Sequence, residues 1–168
     1  IVRCSRGKWR GNSEPTIIQK VKKMTVITVI VTYNRRQLLI QCVEAVRRNR
    51  PEKIIVVNNG STDGTGEWLA GETGLHVVEQ GNEGGSGGFY TGIKEACERG
   101  AEAVWCMDDD VFPQSECLEK LLEVQAAHPE AGIFAPRRLQ NGKVFCHDCF
   151  SGTVETKDLF NKQFDRMM

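Results

Sequence analysis

The segment TVITVIVTYNR, residues 25–35, begins with seven residues that are all β-branched and nearly all apolar. Such a run is typical of a β-strand buried on both faces, as in a parallel sheet covered by helices. Polar residues follow it at once, and Asn34 and Gln37 have the spacing of a helix N-cap and its capping-box partner. The segment therefore predicts a strand that leads directly into a helix.

The same alternation continues along the chain, and Asn141-Gly142 adds a hairpin signal. Further strands are predicted at 54–57, 75–78, 103–107 and 132–135. Helices are predicted after the Asn34 cap, around Trp68, over 89–98, and after a cap at Ser115. This order predicts an α/β fold, an open and mostly parallel sheet with helices on both faces.

One domain is expected over residues 24–150, because the flanking segments do not share its periodicity. Residues 1–23 are basic and show no sustained period, so we expect a flexible leader there. Residues 151–168 are expected to form a polar tail. The domain is expected to be incomplete at its C-terminal side.

Composition excludes several classes of protein. Lys plus Arg and Asp plus Glu both total 22, which does not favour a nucleic-acid-binding protein. No apolar run reaches the length of about 20 residues that crosses a bilayer. The seven cysteines, without a secretory signal, favour reduced thiols and a cytoplasmic location. The C-x-x-C pair Cys146–Cys149 lacks the second ligand pair of a zinc site, so a structural or incidental role is favoured.

Polar clusters directly follow three of the predicted strands. They are Thr32–Arg35, Asn58–Asp63 and Asp108–Asp110. In open parallel sheets, ligands bind beyond the carboxyl ends of the strands. We therefore expect the three clusters to share one site rather than to form three separate solvated loops.

The run Asp108-Asp109-Asp110 is the strongest chemical signal, because it follows the buried strand AVWCM. Three neighbouring carboxylates repel one another, and a divalent cation relieves that repulsion. Oxygen ligands of this kind suit Mg²⁺ or Mn²⁺, which usually share their coordination shell with substrate phosphates. The alternative is an acidic turn that caps the next helix.

The segment Gly81–Gly88 contains five glycines among its eight residues. A loop of this kind lets the backbone approach a ligand, and the helix start that follows it favours anions. It matches neither G-x-x-x-x-G-K-[ST] nor G-x-G-x-x-G, and a flexible connector is the alternative. Asn58, Asn59 and Asp63 could bind a base or a ribose, although a tight turn with a helix cap would use the same residues.

Four segments together resemble the donor half of family 2 glycosyltransferases of the GT-A type. They are VITVIVTYNR, IIVVNNGSTDGT, GNEGGSGGFYTGIKEA and VWCMDDDV, and the resemblance covers residues 25–136. The Asn-Glu-Gly-Gly segment with its trailing aromatic, and the Trp before DDD, resemble the galactofuranosyltransferase and rhamnosyltransferase branch. The resemblance implies a GT-A, Rossmann-like fold of the nucleotide-diphospho-sugar transferases.

The resemblance also implies residue roles. Thr32, Tyr33 and Arg35 would line the nucleotide pocket, and Asn59 falls where the family contacts the uracil or thymine base. Asn58 stands where many members carry an aspartate. Asp108 and Asp110 would hold Mn²⁺ or Mg²⁺, and Asp109 would face the sugar or ribose. The segment from Asn82 to Phe89 would lie along the donor, with the following contact residues: Asn82, Gly85, Gly87, Gly88.

The implied reaction is inverting transfer of a sugar from a nucleotide diphosphate donor, of the UDP-galactofuranose or dTDP-rhamnose type, to a glycan or lipid-linked acceptor. In the family, the catalytic base lies beyond the metal motif. No residue matches it here, and neither Glu155 nor Asp158 is assigned to it. The resemblance also implies a place at the cytoplasmic, inner face of a membrane, with peripheral association.

Three other readings remain. A nucleotidyltransferase would show a glycine-rich, basic loop after the first strand, where this chain has TYNRRQ. A Rossmann-type dehydrogenase also needs glycine in that turn. A non-catalytic or truncated nucleotide-sugar-binding module would keep the pocket without turnover.

Overall fold

The computed structural model describes residues 1–3, 24–136, 139–140 and 143–144. The strands are β1 (Val2–Arg3), β2 (Val26–Thr32), β3 (Lys53–Asn59), β4 (Leu75–Gln80), β5 (Ala103–Asp108), β6 (Leu139–Gln140) and β7 (Lys143–Val144). The helices are α1 (Arg36–Arg48), α2 (Thr65–Gly71), α3 (Gly84–Glu98) and α4 (Cys117–Ala127). Ile1–Ala135 forms one compact unit, and Pro136–Met168 forms a second unit in which β6 pairs antiparallel with β7. None of the described helices combines the length and apolar character needed to span a bilayer.

The main sheet has the strand order β1-β5-β2-β3-β4. Strands β5, β2, β3 and β4 are parallel, and β1 adds an antiparallel edge to β5. The central strand β2 is fully buried, and its Thr28 lies between Ile54 and Trp105 of its two neighbours. From β2 the chain first extends the sheet through β3 and β4, and then returns to place β5 on the other side. This reversal of strand order marks the ligand crevice of open α/β sheets.

Helices cover both faces of the sheet, as predicted. Successive side chains of a strand point to opposite faces, so Ile30 packs with α1 and Val29 packs towards α3. The face that carries α1, α2 and α4 contains the larger core, which includes Leu39, Val43, Leu69, Trp105 and Leu118. The opposite face carries α3, with Ala96 fully buried and Phe89 and Ile93 partly buried against the strands.

The glycines of α3 allow this helix to lie very close to β2. A Cβ atom added at Gly88 would stand 2.5 Å from Cγ1 of Val31, and one added at Gly92 would collide with Cγ1 of Val29. The predicted loop over 81–88 is therefore wrong for its second half, because α3 begins at Gly84 instead of Phe89. Close packing on the strand outweighs the low helix propensity of glycine.

Both predicted helix caps are wrong, because side chains from distant loops take their place. Helix α1 begins at Arg36, whose N–H donates to Oδ2 of Asp63 at 3.0 Å. Helix α4 begins at Cys117 without a side-chain cap from its own chain segment, and Asn49 Oδ1 accepts from the N–H of Leu118 at 3.1 Å. A local capping signal was present in each case, and a contact between distant segments replaced it.

Two further predictions need correction. The strand expected at 132–135 is not formed in the described chain, where Ile1 and Phe134 only exchange main-chain hydrogen bonds. Part of the expected flexible leader is a strand, because Val2 pairs with Val104. Residues 4–23, the tail at 151–168 and the pair Cys146–Cys149 lie outside the described residues. Strands β6 and β7 flank Asn141-Gly142, which confirms the hairpin signal.

Candidate functional site at the carboxyl edge of the sheet

Two of the predicted clusters meet where β2 and β5 end side by side. Val31 pairs with Asp108 in register, so the residues that follow both strands emerge together. The hydroxyl of Thr32 donates a buried hydrogen bond of 2.7 Å to Oδ2 of Asp109. Asp109 is only 3% exposed, although aspartate is rarely buried without a partner. The topological switch therefore joins the first and third polar clusters into one site.

Arg35 supplies the positive charge at this edge. Its guanidinium donates to Oδ2 of Asp110 at 3.0 Å and lies 3.5 Å from Oδ1 of Asp109. The side chains of Arg35 and Asp110 are each about half exposed, whereas that of Asp109 is buried. One arginine thus partly neutralises two of the three carboxylates, and it remains accessible to a ligand.

Burial shifts the pKa of two groups near this edge, Asp109 and Cys42. Desolvation raises the pKa of Asp109, and the hydrogen bond from Thr32 and the charge of Arg35 only partly oppose that effect. Below the edge, the thiol of Cys42 lies 3.7 Å from the carbonyl oxygen of Asp108. Burial, followed by the charges of the neighbouring aspartates, raises the pKa of Cys42 to about 12. Cys42 is therefore a protonated packing residue and no nucleophile.

The second polar cluster holds the loop that carries Arg35. Asn34 has a φ of 53°, a left-handed conformation that asparagine tolerates better than most residues. Its backbone N–H donates to Oγ of Ser61 at 3.0 Å, and its Oδ1 accepts from the N–H of Thr62 at 2.7 Å. Asp63 has a lowered pKa, chiefly because the Thr65 hydroxyl donates to it, and secondarily because the N–H of Arg36 does.

Asn58 and Asn59 are both buried at the end of β3, and both form side-chain hydrogen bonds inside the protein. Asn58 donates from Nδ2 to Oε2 of Glu79 at 2.8 Å and accepts from the N–H of Ser61 at 3.2 Å. Asn59 connects β3 to the start of α3 through Asn82, to which its Nδ2 donates at 3.1 Å. Through these hydrogen bonds the second cluster holds the loops of the site in place. Asn58, Asn59 and Asp63 therefore have the contacts of a tight turn with a helix cap, which is the alternative given above.

A cleft of about 420 Å³ opens beside the end of β3. Its lining is polar and comprises Asn58, Ser61, Thr62, Gly64, Gly66, Glu67 and Glu79. Asp108, Asp109 and Asp110 do not line it, so the acidic edge and the cleft are separate features of the same side of the sheet.

The glycine-rich segment contributes fewer exposed groups than its sequence suggests. Asn82 and Gly85 are exposed, Gly87 is partly buried, and Gly88 is buried against β2. Gly85 has space for a side chain, since an added Cβ would meet no atom within 4 Å beyond its chain neighbours and the backbone of its own helix. Asn82 and Gly85 can therefore approach a ligand directly, whereas Gly88 serves the packing of α3.

The three aspartates differ in their fitness as metal ligands. No group of three acidic, histidine or cysteine side chains is arranged around a common point in the part of the chain that the structure describes. Asp109 is buried and accepts a hydrogen bond from Thr32, but Asp108 and Asp110 are exposed. Magnesium is usually held by one or two carboxylates together with substrate phosphates. The pair Asp108 and Asp110 therefore fits a cation that arrives with a diphosphate.

Sequence reasoning missed several residues that shape this site. Ser61 and Thr62 brace the Asn34 loop, Cys42 supports the Asp108 carbonyl, and Gln80 bonds to Asn59. Only Ser61 and Thr62 carried a signal, as the centre of the turn sequence NGSTDG. Contacts of this kind depend on the sheet register, which no local pattern encodes.

Comparisons with known proteins identify the family of this chain. The model of the family described as Glycosyl transferase family 2 matches residues 27–145. The undecaprenyl-phosphate mannosyltransferase of Micrococcus luteus is 35% identical over 127 residues, which cover 72% of this chain and 51% of that protein. A galactofuranosyltransferase of Mycolicibacterium smegmatis is 33% identical over 113 residues, which cover 64% of this chain and 37% of that protein.

A solved structure shares the fold. The mannosyltransferase of Pyrobaculum calidifontis, in complex with GDP-Man and Mn²⁺, superposes with a TM-score of 0.54 at 22% identity, over 67% of this chain and 36% of that one. The chain spans about half, or less, of the length of the relatives that it matches. The family model matches residues 27–145, and the Micrococcus luteus relative is 35% identical over 72% of this chain. This chain therefore belongs to glycosyl transferase family 2.

Proposed function

We propose that this chain is the donor-binding part of an inverting glycosyltransferase. Its donor is a nucleotide diphosphate sugar of the UDP-galactofuranose or dTDP-rhamnose type, and its acceptor is a glycan or a lipid-linked acceptor. The observation that carries the proposal is the hydrogen bond between Thr32 and Asp109, with Arg35 beside it, at the topological switch of the sheet. Ligands of open α/β sheets bind at that place.

The residues of the edge suit the parts of such a donor. Arg35 is exposed enough to meet a diphosphate, and its planar guanidinium binds phosphate oxygens in pairs. Tyr33 is 46% exposed, so its ring is available to a base or ribose. Asp109, held by Thr32, faces the sugar or ribose in this proposal. Asn82 and Gly85 lie at the exposed start of α3, and the N-terminal end of a helix favours anions.

We further propose that Asp108 and Asp110 hold Mn²⁺ or Mg²⁺. When bound, the cation supplies positive charge that stabilises the departing diphosphate. Two exposed carboxylates next to a buried one suit this role, because the cation completes its shell with phosphate oxygens. A cation on Asp110 competes with the positive charge of Arg35, and the arginine can then turn to the donor.

In the proposed reaction, an acceptor hydroxyl attacks the anomeric carbon of the sugar. The bond between that carbon and the diphosphate oxygen breaks, the nucleotide diphosphate leaves, and a carboxylate base accepts the hydroxyl proton. We place that base outside the described residues. We place the reaction at the cytoplasmic face of a membrane, with peripheral association and no nucleic-acid partner.

The test of the donor is a competition experiment. A fluorescent UDP analogue is bound to the chain in Mn²⁺ and displaced with UDP-galactofuranose, dTDP-rhamnose and GDP-mannose. Displacement by UDP-galactofuranose or dTDP-rhamnose at a concentration at least about tenfold lower than GDP-mannose supports the donor type, since one lost base contact costs about 1–3 kcal/mol. Preferential displacement by GDP-mannose would overturn that assignment and leave the family membership intact.

A non-catalytic or truncated nucleotide-sugar-binding module is the second candidate. It is supported by the described part of the chain, in which Asp108 and Asp110 are given to the cation, Asp109 is buried and bonded to Thr32, and no further carboxylate is assigned as the base. Incubating the chain with labelled donor and a polyprenyl-phosphate or oligosaccharide acceptor separates the two candidates. Labelled product supports the enzyme, and saturable donor binding without product supports the module.

A further inference from the structure

Asn59 forms four hydrogen bonds inside the protein. Its Oδ1 accepts from Nε2 of Gln80 at 2.8 Å and from the N–H of Glu83 at 3.2 Å. Its Nδ2 donates to Oδ1 of Asn82 and to the carbonyl oxygen of Gly84, both at 3.1 Å. An amide side chain has two donor hydrogens and two acceptor lone pairs, so its capacity is fully used.

The burial of Asn59 adds to this saturation. The residue is only 2% exposed, and a nucleobase could bond to it only by displacing one of the four partners. Leaving a buried polar group without its partner costs about 1–3 kcal/mol, which would offset most of the gain from a new base contact. At the position that the family resemblance assigns to the base, the Asn59 side chain is therefore saturated by hydrogen bonds within the protein. We call this set of bonds, to Gln80, Asn82, Glu83 and Gly84, the Asn59 bracket.

The bracket fixes the place where α3 begins. Asn82 Oδ1 accepts from the N–H of Gly84 at 3.0 Å as well as from Asn59. Helix α3 starts at Gly84, and Gly88 then packs against Val31 of β2. The backbone of residue 60 also lies against this turn, because a Cβ at Gly60 would stand 3.0 Å from the nitrogen of Asn82. Asn59 thus ties the end of β3 to the exposed groups that approach the donor.

We infer that Asn59 is a positioning residue that sets the start of α3 for nucleotide binding and carries no selectivity between bases. The inference rests on the proposed function, and it reassigns a residue of the same site. Selectivity between bases then belongs to exposed groups such as Tyr33 and Asn82.

The test uses Asn59→Asp, which keeps the size and both acceptor contacts of Oδ1. It replaces the two donated hydrogens by an oxygen that faces the Asn82 and Gly84 oxygens, so the bracket opens on the α3 side. Gln80→Met is a milder variant that removes a single bond to Asn59, in case the first variant folds poorly. Two properties are measured, the affinities for UDP, dTDP and GDP in Mn²⁺, and amide hydrogen exchange across α3.

Asn49→Asp is the matched control. Asn49 caps the far end of α1 and also donates twice from Nδ2, to the carbonyl oxygens of Ala45 and Gln114 at 3.0 and 3.1 Å. The same substitution therefore removes the same kind of contacts outside the site. It is expected to lower the melting temperature and to leave nucleotide affinity and exchange in α3 unchanged.

For Asn59→Asp we expect the affinities for all three nucleotides to fall by a common factor of about five to ten, with their ratios unchanged. Amide exchange at residues 84–88 is expected to accelerate in both Asn59→Asp and Gln80→Met. A change in the ratio of UDP to GDP affinity, or unchanged exchange at residues 84–88, would overturn the inference. If the wild-type chain binds no nucleotide, the proposed function fails, and the exchange data still decide the role of Asn59.

Discussion

Thr32 and Asp109 are 77 residues apart in the chain, and the hydroxyl of one donates a 2.7 Å hydrogen bond to the carboxylate of the other. The contact exists because β2 and β5 are parallel neighbours whose ends are in register. It holds a buried acidic side chain at the edge of the sheet, beside the two exposed aspartates. The Thr32 hydroxyl therefore helps to fix the buried carboxylate of this edge.

Replacing that hydroxyl is the first test. Thr32→Val keeps the shape of the side chain and removes one buried hydrogen-bond donor from the Asp109 carboxylate. We expect the free energy of unfolding to fall by about 1–3 kcal/mol. We also expect weaker binding of nucleotide with Mn²⁺, measured by titration calorimetry. Thr32→Ser, which retains the donor, should keep most of the nucleotide affinity, and equal losses in the two variants would contradict the role of the hydroxyl.

The raised pKa of Asp109 predicts a pH-dependent stability. In the window above its ordinary pKa, the folded state holds a proton on Asp109 that the unfolded state has released, so stability falls as pH rises through that window. Asp109→Asn removes the penalty of the buried charge. We expect the variant to melt at a higher temperature than wild type at pH 7, and the difference to shrink towards pH 4. A variant less stable than wild type at pH 7 would show that the partners of Asp109 outweigh its burial.

Arg35 is expected to compete with a cation for Asp110, since its guanidinium lies 3.0 Å from that carboxylate. Arg35→Met should therefore tighten binding of Mn²⁺ in the absence of nucleotide by about two- to fivefold, the scale of a half-exposed ion pair. The same variant should weaken binding of the nucleotide itself. Electron paramagnetic resonance of free Mn²⁺ measures the affinity for the cation, and calorimetry measures the affinity for the nucleotide.

The control for this variant is Arg48→Met, which removes an equal charge from the exposed pair with Glu44 on α1. It should change neither affinity. Unaltered Mn²⁺ binding in Arg35→Met would mean that Asp110 does not take part in the cation site.

Glycines of α3 give a matched pair of opposite predictions. An alanine Cβ at Gly92 would collide with Val29 in a fully buried place, so Gly92→Ala should cost about 1–3 kcal/mol of stability. Gly85 lies in the same helix with free space around it, so Gly85→Ala should add up to about 1 kcal/mol through helix propensity. Chemical denaturation measures both, and a similar loss in the two variants would contradict the close packing of α3.

The sequence predicted the parallel sheet well, because buried strands such as β2 and β5 are marked by continuous apolar runs. It also predicted that Thr32 and Asp109 would reach one edge, since the carboxyl ends of parallel strands share it. It could not predict that Asn49 and Asp63 cap helices of distant segments, because those contacts follow from tertiary packing. The prediction of a loop over the whole glycine-rich segment was wrong for a related reason, because tertiary packing decides where α3 begins.

In that segment, five glycines predicted a ligand-binding loop over residues 81–88, whereas Gly88 lies in α3 and serves a close contact between helix and strand. The role of a glycine depends on its neighbours in space, and the strand beneath α3 was not visible in the local pattern. Asn59 is a similar case, since the resemblance implies a base contact at this position, whereas its side chain forms four hydrogen bonds inside the protein.

The most direct test of the donor-site proposal is calorimetric titration of UDP and dTDP, each with and without Mn²⁺, into the wild-type chain and into Asp110→Ala. Asp110 is half exposed, so its replacement should leave the fold intact. The proposal predicts that one nucleotide binds only with Mn²⁺, and that Asp110→Ala abolishes the metal-dependent part. Equal affinity in wild type and Asp110→Ala, or binding that does not depend on Mn²⁺, would contradict the proposed metal-assisted donor site.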